Sequence, residues 1–421
     1  MARARRTEIR HVDPRLLADL WTTAARSGTL HASDELVVCG FGVARTIELP
    51  DGIADAGGPR RIDDALASIK LAGDDGPGGT GIVAFASMPF TPTAKATLHL
   101  ASLLCAWRPA DDTMWITQVW DGERSSEPLD AAARAAAGAS SVAAPRIVEL
   151  HEQLSGSAYA DAVGRCVKRL RSGEAAKVVL ARSVHAACSD QVDTAAVVAS
   201  LHAAEPFCTV FAFPRGAERY VGASPELLVA TSDGAVSAHP LAGTVALSGA
   251  PSDADQMAWL AGSTKNRLEH AAVVDDIVAR LTPLCDAISA ADEPVVVQLS
   301  AVAHLGTWVD GKLRGPRSAE TSMHALAALH PTPAVGGVPR DVSLAIIAEL
   351  EGHDRGPWAG PVGWVDADGT SIWTLGIRGV LVRGAAIEVW AGAGIVADSI
   401  PEAELDETEV KFASVLRAFS R

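Results

Sequence analysis

Toward the end of this sequence, strand-forming runs come in close succession with turn residues between them. Residues 362–366, 372–382 and 386–396 are such runs, and Val365-Asp-Ala-Asp-Gly369 and Arg383-Gly384 separate neighbours. Runs this closely spaced pair antiparallel, because a parallel neighbour needs a crossover of about a dozen residues or more. Other strand-like runs fall near 177–188, 208–213, 226–232 and 294–299, and in the first third at Leu36–Val43, Gly81–Ala86 and Met114–Trp120, the last alternating at period two. Helical stretches fall near 152–172, 193–204, 255–288, 341–351 and 402–419. This mixture predicts an α/β (α+β) chain with a large layered mixed or antiparallel sheet flanked by helices, not a regular βαβ alternation. An Ala- and Ser-rich stretch over 130–145 reads as a helix tail and a linker ending at Pro145, dividing an N-terminal segment, 1–145, from a segment of 146–421.

Composition narrows the function classes. At 48% hydrophobic residues the chain has ample material for a core, which excludes intrinsic disorder. A net charge of −15 repels phosphate backbones and anionic bilayers, and the densest basic stretch, Arg165 to Arg171, reads as one solvated helix face. No nucleic acid or membrane partner is expected. No run of 18 apolar residues and no signal-peptide pattern is present, so a cytoplasmic location is the expectation. The six cysteines are irregularly spaced without a C-x-x-C pair, which argues against structural zinc and a redox dithiol. The Gly-rich segment 73–81 lacks a Gly-Lys-Ser/Thr ending, Gly392-Ala-Gly394 lacks the rest of a dinucleotide fingerprint, and there is no G-x-S-x-G elbow. A small-molecule partner remains.

Four segments carry reactive groups where a pure core would not. Lys177 starts the β-branched run Lys177-Val-Val-Leu-Ala-Arg182; it either leans into solvent or is buried with a lowered pKa. Glu226 follows Pro225 and opens an apolar run, so it is either an exposed edge residue or a partly buried acid held protonated near neutrality. His239-Pro-Leu-Ala-Gly-Thr244 is a tight turn in which the Gly243 amide and the Thr244 hydroxyl suit a carboxylate. Finally, Glu269 lies on a long amphipathic helix, and Glu404, Glu407 and Lys411 share one face of another, opened by Pro401. Surface ion pairing explains any one of these acids; convergence of several would select a hard cation, Mg²⁺ before Zn²⁺.

In order, KVVLAR, ASPELL, PLAGT, RLEH, HPTPAVGG, AGPVGW, GIR and GAGIV, followed by ELDET and Lys411, span residues 176 to 411. This ordered set resembles the chorismate-utilising enzymes, and within them the isochorismate synthases. The resemblance implies a single large chorismate-binding domain whose N-terminal segment completes the core. It implies Lys177 as the base that takes a proton from the water attacking C2 of chorismate, and Glu226 as the acid that protonates the departing C4 hydroxyl. By the same likeness Glu269, Glu404 and Glu407 are the magnesium-site acids, with Glu269 and Glu407 the closer matches to direct ligands. The resemblance also implies that Gly243, Thr244, Arg378, Gly394 and Lys411 hold the substrate carboxylates. Asn266 departs from the pattern, which often has an acid there.

Within the family, Ala242 stands where aminodeoxychorismate synthases that form a covalent adduct carry a lysine, which removes that nucleophile and leaves room for water or ammonia. No segment resembles a glutaminase, so no glutaminase subunit is expected; a monomer is. The resemblance favours isochorismate synthase, with salicylate synthase, which goes on to eliminate pyruvate, as the alternative. A non-catalytic relative is disfavoured by the joint presence of Lys177, Glu226 and the acids.

Overall fold

A computed structural model describes residues 2–121, 127–137, 144–248, 250 and 252–419. Two large sheets pack face to face, and a three-stranded sheet sits beside them. The larger sheet runs from the edge strand Ile147–Glu152 through Lys177–Cys188, Ala386–Ile395, Gly379–Arg383, Glu218–Ser224 and Thr209–Arg215. It continues through Thr29–Ala32, Val37–Phe41, Leu103–Arg108, Thr113–Trp120 and Arg3–Arg10 to Lys70–Gly73. The second contains, in order, Cys285–Ala290, Val309–Leu313, Ala235–His239, Leu227–Ser232, Ser371–Leu375, Pro361–Asp366, Val83–Ser87, Ala96–Leu100 and Arg45–Leu49. Among the described residues every strand pairing is antiparallel except that of Arg3–Arg10 with Lys70–Gly73. The expected layered, largely antiparallel architecture is what forms.

Each large sheet joins a block of strands from the first third to a block from the rest, edge to edge. Val210 pairs with Ala32 in one, and Val365 with Ala84 in the other. Phe85, Phe211, Phe213, Tyr220 and Trp364 fill the space between the sheets. Helices Pro14–Ser27 and Thr194–Ala204 cover the outer face of the larger sheet, while Gly58–Ala67, Thr264–Leu281 and Ala319–Leu329 cover that of the second. Both turn signals of the C-terminal hairpins act as expected, joining Pro361–Asp366 to Ser371–Leu375 and Gly379–Arg383 to Ala386–Ile395.

Three expectations need correction. The helix over 255–288 is two helices, Asp253–Gly262 and Thr264–Leu281, because Ser263 is extended (φ −72°, ψ 109°) and its hydroxyl caps the second by accepting from the Asn266 N–H at 3.3 Å. Its expected end becomes the strand Cys285–Ala290, recruited by pairing with Val309–Leu313. The run 372–382 breaks at Gly376–Arg378: Ser371–Leu375 belongs to one sheet and Gly379–Arg383 to the other. The sequence reading also missed helices Pro14–Ser27, Gly58–Ala67 and Ala319–Leu329 and strands Ala235–His239 and Val302–Gly306. Part of the linker expected over 130–145, residues 138–143, lies outside the described residues; before it, Pro128–Ala136 is helical.

Candidate active site

At three of the points where the chain passes from one sheet to another, a functional group stands. Pro225-Glu226 carries it from Glu218–Ser224 in the larger sheet to Leu227–Ser232 in the second. Gly376–Arg378 carries it back, and the two crossings are tied by the Leu375 N–H donating to the Glu226 carbonyl (3.1 Å) and the Ala223 N–H to the Arg378 carbonyl (3.2 Å). Pro240 leads into Leu241–Ala246 of the small sheet. There the register against Val302–Gly306 shifts between Ala242 and Thr244, so Gly243 is a bulge with φ +69°, which a glycine accepts without strain.

These crossings open on a cavity enclosing about 1200 Å³ of atom-free space, part of it open to solvent. Lys177, Glu226, Ala242, Gly243, Thr244, Glu269, Arg378, Gly394, Glu404, Glu407 and Lys411 all line it. Every site residue expected from sequence therefore meets in one place.

Lys177 is buried, 6% exposed, as the first residue of a strand that at this end pairs with Ala386–Ile395 and the short Gly337–Val338 strand. Its Nζ lies 2.8 Å from Glu269 Oε1. Burial pushes the Glu269 carboxyl up, but the Lys177 charge and hydrogen bond outweigh it and hold the group below its ordinary value. Gly394 faces this pair so closely that a Cβ there would come 2.9 Å from Lys177 Cε and 3.1 Å from Glu269 Oε1. That contact explains the need for glycine.

Glu226 is 4% exposed, which settles its two sequence readings in favour of the buried acid. Burial raises its pKa to about 8, against the opposing influence of the Leu241 amide and the charges of Lys177 and Lys411. The site thus places a buried lysine amine and a carboxyl whose pKa lies above neutrality on one cavity.

Elsewhere on the cavity wall Lys411 Nζ donates to the Gly392 carbonyl at 2.8 Å and pairs with Glu407 one helical turn away. Glu404 is raised to about 7 by burial, with Glu407 adding like-charge repulsion and a Ser399 hydrogen bond opposing it. Arg378, at φ +52°, donates to Ser414 Oγ at 3.0 Å. His304 links this wall to the bulge. Its Nδ1 lies 3.2 Å from the Gly243 carbonyl, an acceptor only, so Nδ1 carries the proton and Nε2 presents its lone pair to Arg378 Nη2 at 3.4 Å. Burial and Arg378 lower its pKa to about 3, so it is a neutral imidazole. Thr244 Oγ1 also bonds to His304, at 3.2 Å.

The three acids that the resemblance assigns to a metal meet on the cavity without forming a ligand cluster. Glu269, Glu404 and Glu407 share the cavity, yet Glu269 pairs with Lys177 and Glu407 with Lys411, because those ammonium groups supply the positive charge that buried carboxylates need. Among the described residues no three His, Cys, Asp or Glu side chains stand close enough together to hold one ion. In donor type the set fits a hard divalent cation: all three are carboxylates, and the unfavourable proximity of Glu404 and Glu407 is the kind a cation relieves.

Sequence reasoning missed His304, Lys265, Trp259, Trp358 and Trp390, which also line the cavity. Trp358 stands one residue before the AGPVGW motif and was within reach of it. His304 is a lone histidine in an apolar strand, and only its neighbours reveal it. Asn266, singled out as a departure, is buried, lines the cavity and donates from Nδ2 to Ser263 Oγ at 3.0 Å.

A fold of two packed sheets with an amine, a protonated acid and anion-holding groups on one cavity is that of an enzyme for a small anionic molecule. The sequence pattern of the chorismate binding enzymes matches residues 5–420, and the chain belongs to that family. A Mycobacterium tuberculosis protein assigned as an isochorismate synthase, MenF, is 41% identical over 276 residues, covering 62% of this chain and 72% of that one. The isochorismate synthase DhbC of Bacillus subtilis is 35% identical over 268 residues, covering 62% and 67%. The menaquinone-specific isochorismate synthase MenF of Escherichia coli shares the fold with a TM-score of 0.82 at 22% identity, over 100% of this chain and 95% of that one.

Proposed function

We propose that this protein is an isochorismate synthase, converting chorismate to isochorismate with Mg²⁺. The carrying observation is that Lys177 and Glu226 are buried on one cavity, with Glu226 protonated at neutral pH. The names of the two relatives above 30% identity support the same substrate.

In this reading Lys177, having given up the proton with which it pairs to Glu269, takes one from a water whose oxygen bonds to C2 of the ring. The two ring double bonds shift toward C4, the C4–O bond breaks, and Glu226 delivers the proton with which the hydroxyl leaves as water. Hydroxide is a poor leaving group, and general acid catalysis of this kind contributes about 10²–10⁴ in rate. Arg378 and Lys411 hold the substrate carboxylates, Arg378 offering a planar fork that suits one of them. Thr244 and the backbone at Gly243 and Gly394 complete the cradle. Glu269, Glu404 and Glu407 would hold Mg²⁺, which neutralises carboxylate charge and draws electrons from the diene when bound. Ala242 leaves water access to the ring where a lysine side chain would form an adduct.

The test is incubation of the pure protein with chorismate and Mg²⁺, with chromatographic separation of products. Isochorismate as sole product supports the proposal. Salicylate with pyruvate shows a salicylate synthase instead, and unchanged chorismate defeats both. Lys177→Ala and Glu226→Gln are each expected to lower kcat at least 10³-fold with unchanged circular dichroism. Near-normal turnover by Lys177→Ala overturns the assignment of the base.

A further inference from the structure

Three tryptophans line the cavity, and they differ in burial. Trp358 and Trp390 are 4% and 6% exposed and stack on one another with centroids 6.1 Å apart, so they are fixed wall. Trp259, on helix Asp253–Gly262, lines the same cavity but leaves 58% of its surface in water. The helix does not need this indole for its own packing. It is anchored by Leu260, 0% exposed, and by Met257, which pack with Val245, Ala303 and Leu305 of the small sheet. A large exposed aromatic costs hydration free energy unless something covers it. The cavity mouth is where that cover arrives.

We propose that Trp259 is a substrate-binding residue that covers the outward side of the bound ring and separates it from bulk water. The inference rests on chorismate being the substrate. The catalytic groups engage the ligand through its polar atoms: Lys177 and Glu226 by their proton chemistry, Arg378 and Lys411 by charge. None offers an apolar surface to the hydrocarbon edge of a cyclohexadiene, and Trp259 supplies one at the mouth. An indole there stabilises the bound state more than the chemical step, so its loss is read in KM before kcat.

Covering about 50 Å² of apolar surface corresponds to about a tenfold change in affinity. Trp259→Ala is therefore expected to raise the KM for chorismate about tenfold, with kcat changed far less, and Trp259→Phe to restore most of the loss. A second readout uses Glu226→Gln protein, which holds chorismate without turning it over. Chorismate should protect part of its indole emission from iodide quenching, and this protection should be absent in Glu226→Gln/Trp259→Phe. A KM within twofold of the parent in Trp259→Ala, or equal iodide protection with and without Trp259, overturns the proposal while leaving the assigned reaction intact. A parent protein that does not turn over chorismate brings down the assigned reaction and this inference with it.

Discussion

Glu226 is where burial and chemistry meet most directly. Its carboxyl is pushed up to about 8 by desolvation, whereas in the unfolded chain it titrates near an ordinary glutamate, about 4.3. Between those values the folded protein binds a proton that the unfolded chain does not. Stability contributed by this group is therefore full below the unfolded value, falls as pH rises toward 8, and levels off above it. The acid that the proposed reaction needs is lost over the same upper range. Two linked outcomes are expected: kcat declines about tenfold per pH unit above pH 8, and Glu226→Gln, though inactive, melts at a higher temperature than the parent at pH 8. Rate–pH profiles and thermal melts at pH 6 and 8 check both. A flat rate from pH 7 to 9.5 with chemistry rate-limiting shows that Glu226 is not the proton donor.

The element that matters most to the site is helix Pro401–Leu416, which brings Glu404, Glu407 and Lys411 to the cavity. Its position against Lys177–Cys188 is set by Arg182, 0% exposed in a strand five residues beyond Lys177. Arg182 donates to Thr408 Oγ1 at 2.9 Å and to Glu152 Oε1 at 3.1 Å, pairs with Glu409, and lies over the Phe412 ring at 4.9 Å. One guanidinium thus ties the helix that carries Glu404, Glu407 and Lys411 to the strand that carries Lys177, the proposed base. Arg182→Met keeps the volume and removes the donors. A loss of about 2–3 kcal/mol is expected, hydrogen bonds to charged groups being worth about 1.5–3 each. Because the wall shifts, KM should rise as well. Urea denaturation and steady-state kinetics on the variant measure the two effects, and an unchanged midpoint with unchanged KM removes Arg182 from this role.

At the scale of the whole molecule, the first third is part of the structure that supports the site. Strand Thr29–Ala32 closes the edge of Thr209–Arg215, and Val83–Ser87 closes that of Pro361–Asp366. Phe85 and Val38 fill the same inter-sheet core as Phe211 and Trp364. A fragment of residues 146–421 would expose two interior strand edges and half of that core, and such edges template aggregation. Expressed alone, the fragment is expected to be insoluble or to lack a cooperative melt, and co-expression with residues 1–145 to restore soluble material. A monomeric fragment with a sharp melt would show that the N-terminal third is dispensable for folding.

The sequence by itself determined the local matters: the hairpins flagged by Val365–Gly369 and Arg383–Gly384, the strand opened by Lys177, the helix opened by Pro401, and the ordered motifs that carry every expected site residue. These are properties of turn chemistry, side-chain period and residue type, which act over a few positions. Tertiary structure alone decided the rest. The break at Gly376–Arg378 arises because its flanking strands are claimed by different sheets, and the strand Cys285–Ala290 exists only through its partner Val309–Leu313. Pairing energy from distant residues overrides local preference in both cases. Likewise Glu226 is an acid near neutrality, and Glu269 an anion beside Lys177, only because of how much water each has lost and which charge lies next to it. Those are distances across the fold, and no spacing along the chain encodes them.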